Sequence, residues 1–323
     1  MIPGTILRQA RAGFGLTRGH VRVLSTRFGK VCLAHTGNDG LRLQLRLVPA
    51  SENAAVRLDA EMRWLAHLAS RHACAVPIPR HWRESALMSP LLVARNGSAW
   101  YAVACSWVDG RHLNHGLGAR DLGRAAAMLA ALHNANRDAP PTIAAARPIW
   151  GIPRLFELSP RLRDLIAGTI APPDDVPATL ADAMRASHGA LEAAWQALPT
   201  GTTWSGLIHT DAHQQNFRWT RQRVGLVDFE DVATGRFMLD LACLSEVIES
   251  RTRAATLFES MLTAYDRVRP LPRGATRDLQ VMRAFRRFDL AGWVLSWPRQ
   301  DLRAWGPAFL ARTPAYIDRV LSR

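Results

Sequence analysis

The chain has 323 residues, 48% hydrophobic and 21% charged, with 41 Lys and Arg against 27 Asp and Glu for a net charge of +14. These are globular proportions, with length enough for a sizeable core in one large domain or two lobes. No run approaches the ~18 apolar residues of a membrane span, and no basic cluster or aromatic-interleaved basic stretch marks a nucleic-acid surface, so neither partner is expected.

The N-terminus, Met1 to Arg11, has no continuous apolar stretch before a cleavage-like site, so no signal peptide is expected. Val21–Ser25, Lys30–Thr36 and Leu41–Val48 read as three strands, the last two joined by Gly37-Asn38-Asp39-Gly40. Lys30 is the only lysine in the chain. From Glu52 to Leu68, Val56, Ala60, Trp64, Leu65 and Leu68 recur at helical spacing. Leu91–Ala94 and Ala99–Val103, around Asn96-Gly97-Ser98, predict a second hairpin. Cys105-Ser106-Trp107-Val108-Asp109-Gly110 reads as a hinge into a larger helical part, which opens with a helix over Asp121–Asn134. Residues 138–148 and 171–178 are connectors around an Arg-bearing helical insert. Leu207-Ile208 and Val224–Val227 are two short buried strands flanking a polar loop. Segments 240–267, 275–297 and 301–322 have helix length and spacing, with Trp293, Trp297 and Trp305 expected in the core. Cys32, Cys74, Cys105 and Cys243 are scattered without a Cys-x-x-Cys pair, which fits packing roles in a reducing, cytoplasmic setting.

Chemistry concentrates in the polar loop. His209-x-Asp211-x4-Asn216 is followed twelve positions later by Asp228, at the end of an apolar run. A rigid strand edge carrying Asp, Asn and Asp suits phosphoryl transfer: one carboxylate aligns the attacking hydroxyl while Asn and Asp hold a metal on the phosphates. Asp211 is therefore the candidate catalytic residue, and Asn216 and Asp228 the candidate Mg²⁺ ligands. Mg²⁺ takes few carboxylates and keeps phosphate and water oxygens, so a small ligand set is enough. Glu230 and Asp231 either supplement that shell, face substrate or form an exposed acidic loop. His209, Asp211 and His213 also invite a zinc reading, for which no further paired ligand motif exists in the chain.

At these residues the chain resembles the aminoglycoside phosphotransferase and choline kinase-like superfamily, relatives of the protein kinases. His209-Thr-Asp211-Ala-His213-Gln-Gln-Asn216 is similar to that family's His-Gly-Asp-Leu-His-Pro-Gly-Asn loop, and Asp228-Phe229-Glu230-Asp231 to its Asp-Phe-(Asp/Glu)-Asp metal loop. Gly235 to Ala242 resembles its Gly-Pro-x-x-x-Asp-Leu-Ala, and Leu122 to His133 its Gly-x-x-Leu-Ala-x-Leu-His helix. The resemblance runs from about Thr26 to Glu246, closest over residues 206–241. It implies an α+β, two-lobed protein kinase-like fold with a small antiparallel-sheet N-lobe (1–105) and a larger, mainly helical C-lobe (106–323). It also implies transfer of the γ-phosphate of ATP, with Mg²⁺, to a small-molecule hydroxyl.

His209 is grouped with Asp211 in the catalytic loop; the resemblance casts it as a buried strut, and Asp240 as an anchor of loop backbone. Protein-kinase logic wants a strand lysine on the phosphates paired with a helix glutamate. Glu61 is that glutamate, and counting back fifteen residues reaches Arg46 rather than a lysine, with Arg42 on the same strand face. Lys30 lies earlier, after Thr26-Arg27-Phe28-Gly29, which offers one glycine for a phosphate-covering turn. Cys105 and Trp107 mark the hinge that would hold the base through backbone groups. Gln215 stands where the family has Gly, a substitution that matters if that position needs φ > 0. These departures keep a second reading open, a pseudokinase or nucleotide-binding regulatory module, alongside a Ser/Thr protein kinase of the bacterial stress-response type.

Overall fold

The computed structural model describes residues 4–26, 29–71, 74–113, 116–173, 175–249, 251–296 and 300–322, with side chains except at 300–303. Arg27, Phe28 and Trp297 lie outside the described residues.

The chain begins with a helix the sequence reading did not anticipate, α1 (Gly4–Gly13). Strands β1 (His20–Ser25), β2 (Val31–Thr36) and β3 (Arg42–Pro49) follow, then helix α2 (Ala54–Ser70), β4 (Leu92–Val93) and β5 (Ala99–Ser106). The strands form one antiparallel sheet in the order β1-β2-β3-β5-β4. Period-two alternation decides its two faces. Leu43, Leu45 and Leu47 of β3 join Leu33, Ala102 and Ala104 under Ile6 and Ala10 of α1 and Phe14 just beyond it. Gln44 and Arg46, between them, therefore face the opposite side, where Arg46 stands between Cys32 of β2 and Val103 of β5. Helix α2 packs beneath that side through Leu58, Glu61, Met62 and Leu65.

Beyond β5 the chain is mainly helical: α3 (Ala119–Asn134), α4 (Pro141–Ala145), α5 (Ile152–Leu158), α6 (Pro160–Ala167) and α7 (Leu180–Gln196). Helix α6 shows why such short elements stop where they do. Ser159 accepts a hydrogen bond from Leu162 N–H at its start, Pro160 fills the first turn, and Gly168 ends it at φ 75°. Four short strands, β6 (Ser205–Ile208), β7 (Phe217–Trp219), β8 (Val224–Leu226) and β9 (Ala233–Arg236), pair as two ribbons, β6 with β9 and β7 with β8. The sequence reading saw β6 and β8 but neither of their partners. Helices α8 (Met238–Ser245), α9 (Ala254–Asp266), α10 (Ala275–Ser296) and α11 (Gln300–Leu321) complete the chain, so the segment 240–267 is two helices rather than one. A second core runs continuously from α2 through α3 to α8, α9 and α10. The molecule is thus a small antiparallel sheet with its helix, set on a larger helical lobe. No helix among the described residues is long and apolar enough to cross a membrane.

Candidate active site

The loop after β6 is held by one buried carboxylate. Asp240, in the first turn of α8 and fully buried, accepts the backbone N–H groups of His209 and Thr210, each at 2.8 Å. His133 of α3 reaches the same carboxylate through Nε2 at 3.0 Å and, through Nδ1, lies 2.8 Å from the Tyr265 hydroxyl of α9. The anchoring matters because Thr210 sits at φ 71°, a conformation costly for a β-branched residue and sustained only where neighbours impose it. Asn136 secures β6 from the other side, pairing with both backbone groups of Leu207 at 2.6 and 3.1 Å. His209 lies 2.9 Å from the Val227 carbonyl through Nε2 and accepts the Asp211 N–H at Nδ1, 3.3 Å. Those bonds require the Nε2–H tautomer and occupy both nitrogens. His209 is therefore a strut, and the zinc reading loses a ligand.

The loop presents Asp211 half-exposed at the cleft. Its Oδ1 accepts Arg286 Nη2 at 2.7 Å, while Oδ2 faces His213 Nε2 and Asn216 Nδ2, each at 3.3 Å. Burial on its own would raise the Asp211 carboxyl; the His213 hydrogen bond and the Arg286 charge outweigh it and hold the group well below the ordinary carboxylate range. For His213 the balance is reversed in sign: burial pulls it down, the Asp211 bond and charge lift it, and it ends above its usual value. Gln215 sits in a single 3-10 turn over Gln214–Asn216 and is not at positive φ, so its replacement of glycine carries no backbone penalty.

The second acidic position follows β8. The Val227 N–H donates to the Asn216 carbonyl at 3.0 Å, which brings Asn216 and Asp228 together across the β7–β8 ribbon. Asp228 itself takes φ 70° and opens the turn Phe229–Asp231. Low hydration at the cleft, then the neighbouring Glu230 carboxylate, push the Asp228 carboxyl above its ordinary value. Among the described residues no group donates to the Asp228 carboxylate, and Asn216 spends its amide nitrogen on Asp211, leaving Oδ1 free. An uncompensated carboxylate beside a free amide oxygen fits a divalent cation. Among the described residues no group of three or more His, Cys, Asp or Glu could hold a metal by itself.

On the sheet side, Arg46 donates to Glu61 at 2.5 Å, so register selects Arg46 rather than Arg42 as the cation over α2. Arg42 instead pairs with Asp109 and lies 5.5 Å from the Trp107 ring centre. Glu230 turns toward the sheet: its Oε2 meets Lys30 Nζ at 2.9 Å and Arg46 Nη1 at 3.6 Å. Cys105 is buried, its Sγ 3.7 Å from Met62 Sδ, and its backbone pairs with Gln44 of β3; the Trp107 N–H bonds the Arg42 carbonyl. A cavity of about 290 Å³ opens at this end of the sheet, lined among others by Arg22, Ala34, Thr36, Arg42 and Trp107.

Sequence reasoning missed two arginines here. Arg147 ties the acidic turn to α2, donating to the carbonyls of Val232, Glu230 and Arg57 at 2.5, 2.6 and 2.8 Å. Arg286 of α10, which the sequence shows only as one of three nearby arginines, reaches Asp211 from 75 residues away while bonding Glu246 and Asp289, each at 2.8 Å. No spacing rule links residues so distant. Trp293 and Trp305 are a correction: expected in the core, they are 38% and 43% exposed and stack on each other, with ring centres 6.5 Å apart.

The profile of the phosphotransferase enzyme family matches residues 22–275. Among solved structures, an amicoumacin kinase in complex with AMP-PNP and Ca²⁺ superposes with a TM-score of 0.77 at 15% identity, over 98% of this chain and 94% of that one. A microcompartment-associated aminopropanol kinase gives 0.75 at 20% identity, over 99% and 98%. A macrolide 2'-phosphotransferase from Brachybacterium faecium gives 0.62 at 21% identity, over 96% and 98%. At such identities these likenesses show the fold, the two-lobed kinase-like one. No curated protein sequence matches the chain.

Proposed function

The chain belongs to the phosphotransferase enzyme family, and from that premise we propose that it moves the γ-phosphoryl group of ATP, with Mg²⁺, onto a hydroxyl of a small molecule. The observation that carries this reading is the meeting of Asp211, Asn216 and Asp228 at one cleft, two of them in contact and the third joined through backbone. Bound Mg·ATP would supply the transferable phosphoryl group and neutralise charge developing on it. Asp211, kept ionised, accepts and aligns the attacking hydroxyl, which makes positioning rather than base strength its contribution. Asn216 Oδ1 and Asp228 are the metal ligands, with Glu230 close behind them. Arg46 with Glu61, and Lys30, form the phosphate side; the backbone at Cys105 and Trp107 forms the base side.

We divide the lobes at 105/106, beside the end of β5, and place the protein in the cytoplasm, where its free cysteines stay reduced. Small-molecule acceptors are favoured because an aminopropanol kinase and an amicoumacin kinase share the fold. A second reading, a regulatory module that binds nucleotide without turnover, draws on one observation: arginine in place of the strand lysine.

One measurement tests the reading. Mg·ATP at ~100 times its Kd should stabilise the protein by about 2.7 kcal/mol, an easily visible rise in melting temperature. Asp228→Ala should lose the metal-dependent part. A wild type indifferent to Mg·ATP sinks the proposal.

A further inference from the structure

Two cationic side chains converge on one carboxylate oxygen from a distant part of the chain. Lys30 Nζ and Arg46 Nη1 both point at Glu230 Oε2, at 2.9 and 3.6 Å. Glu230 lies two residues beyond Asp228, whereas Lys30 precedes β2 and Arg46 is in β3, so the contact joins the sheet to the acidic turn across the cleft. The two cations are not equivalent. Arg46 is only 9% exposed and already holds Glu61 at 2.5 Å, and its Nε is buried without a partner. A planar fork clamped in that way cannot swing toward a ligand without stranding the buried Glu61 charge. Lys30 is 32% exposed, its one ion pair among the described residues is with Glu230, and a flexible four-carbon stem carries its compact charge.

We propose that Lys30, delivered from the turn between β1 and β2, is the cation that grips the terminal phosphates of the nucleotide, and that Glu230 is its placeholder partner when no nucleotide is bound. Arg46 is then a strut that holds α2 to the sheet through Glu61 and lends background positive charge. The assignment rests on the nucleotide reading above and deepens it. It also accounts for the missing strand lysine: the charge has moved to the neighbouring strand's entrance rather than vanished. Binding exchanges one ion pair for another, Lys30 passing from the Glu230 carboxylate to phosphate oxygens and Glu230 turning toward the metal side.

Calorimetric titration of the full chain with ATP and with AMP, in Mg²⁺, tests this without any acceptor. Lys30→Met should weaken ATP by roughly tenfold or more and leave AMP within about twofold, because only the terminal phosphates lose a partner. Lys30→Arg should restore most of the ATP affinity. Lys30 is a third exposed, so these variants keep the fold, which a melting curve verifies. A wild type that binds ATP with a Lys30→Met that binds it equally well overturns the assignment alone; equal losses for ATP and AMP overturn it as well. A wild type that binds neither nucleotide removes the underlying reading and this assignment with it.

Discussion

Asp211 is held between a guanidinium and an imidazole, and that setting decides what it can do. Arg286 occupies Oδ1, and Oδ2 lies toward His213 and Asn216. A carboxylate kept this firmly ionised is a poor proton sink and a good orienting acceptor. Asp211→Asn should therefore lower turnover by about 10²–10⁴-fold while leaving nucleotide affinity unchanged; steady-state rates beside ATP titrations check both halves, and an Asn variant at full speed rules out the role. The grouping of Asp211 with Asn216 and Asp228 was legible in the sequence because the three stand at short spacings. Arg286 was not, since a contact spanning 75 residues leaves no periodic trace.

At the level of elements, β6 and α8 together hold the loop that carries Asp211. Asn136 binds β6 edgewise, and Gly206 permits the approach: a Cβ there would lie 2.6 Å from Asn136 Oδ1 and 2.9 Å from the Phe237 ring. Gly206→Ala should cost about 1–3 kcal/mol of stability through that overpacking, read from the urea midpoint, and should slow turnover by displacing His209 and Asp211. A neutral result would show that Asn136 moves aside freely. Strand and helix existence was readable here from apolar runs, yet β7 and β9 were not. Three- and four-residue strands carry too little alternation to announce themselves, and their pairing is settled by the partners they meet. The break between α8 and α9 escaped notice for a similar reason: residues 246–253 keep helical composition, with neither glycine nor proline to mark the end.

Taken as a whole, the chain is strongly basic, at +14, around a cleft lined by Asp211, Asp228 and Glu230. On the proposed function, a basic exterior would draw a polyphosphate toward that acidic floor. The buried hub beneath the cleft makes stability depend on pH. Burial, only partly offset by Asp240, lowers the His133 pKa from the usual 6.5. The unfolded chain then binds a proton at this site where the folded one does not, so the stabilisation is fully present above 6.5 and declines as pH falls toward the lower folded value. Unfolding free energies of wild type and His133→Asn at about pH 7.5 and about pH 5.5 should converge at the lower pH; parallel curves would contradict the assignment. The sequence alone determined the reaction class, because Asp211, Asn216 and Asp228 are close enough along the chain for spacing to encode their geometry, and it determined the sheet, because Leu43, Leu45 and Leu47 alternate with Gln44 and Arg46. Only the tertiary structure decided which cations face the cleft, that Glu230 serves Lys30 and Arg46, and that Arg286 grips Asp211. Long flexible side chains from remote segments find their partners through packing, which local sequence does not record.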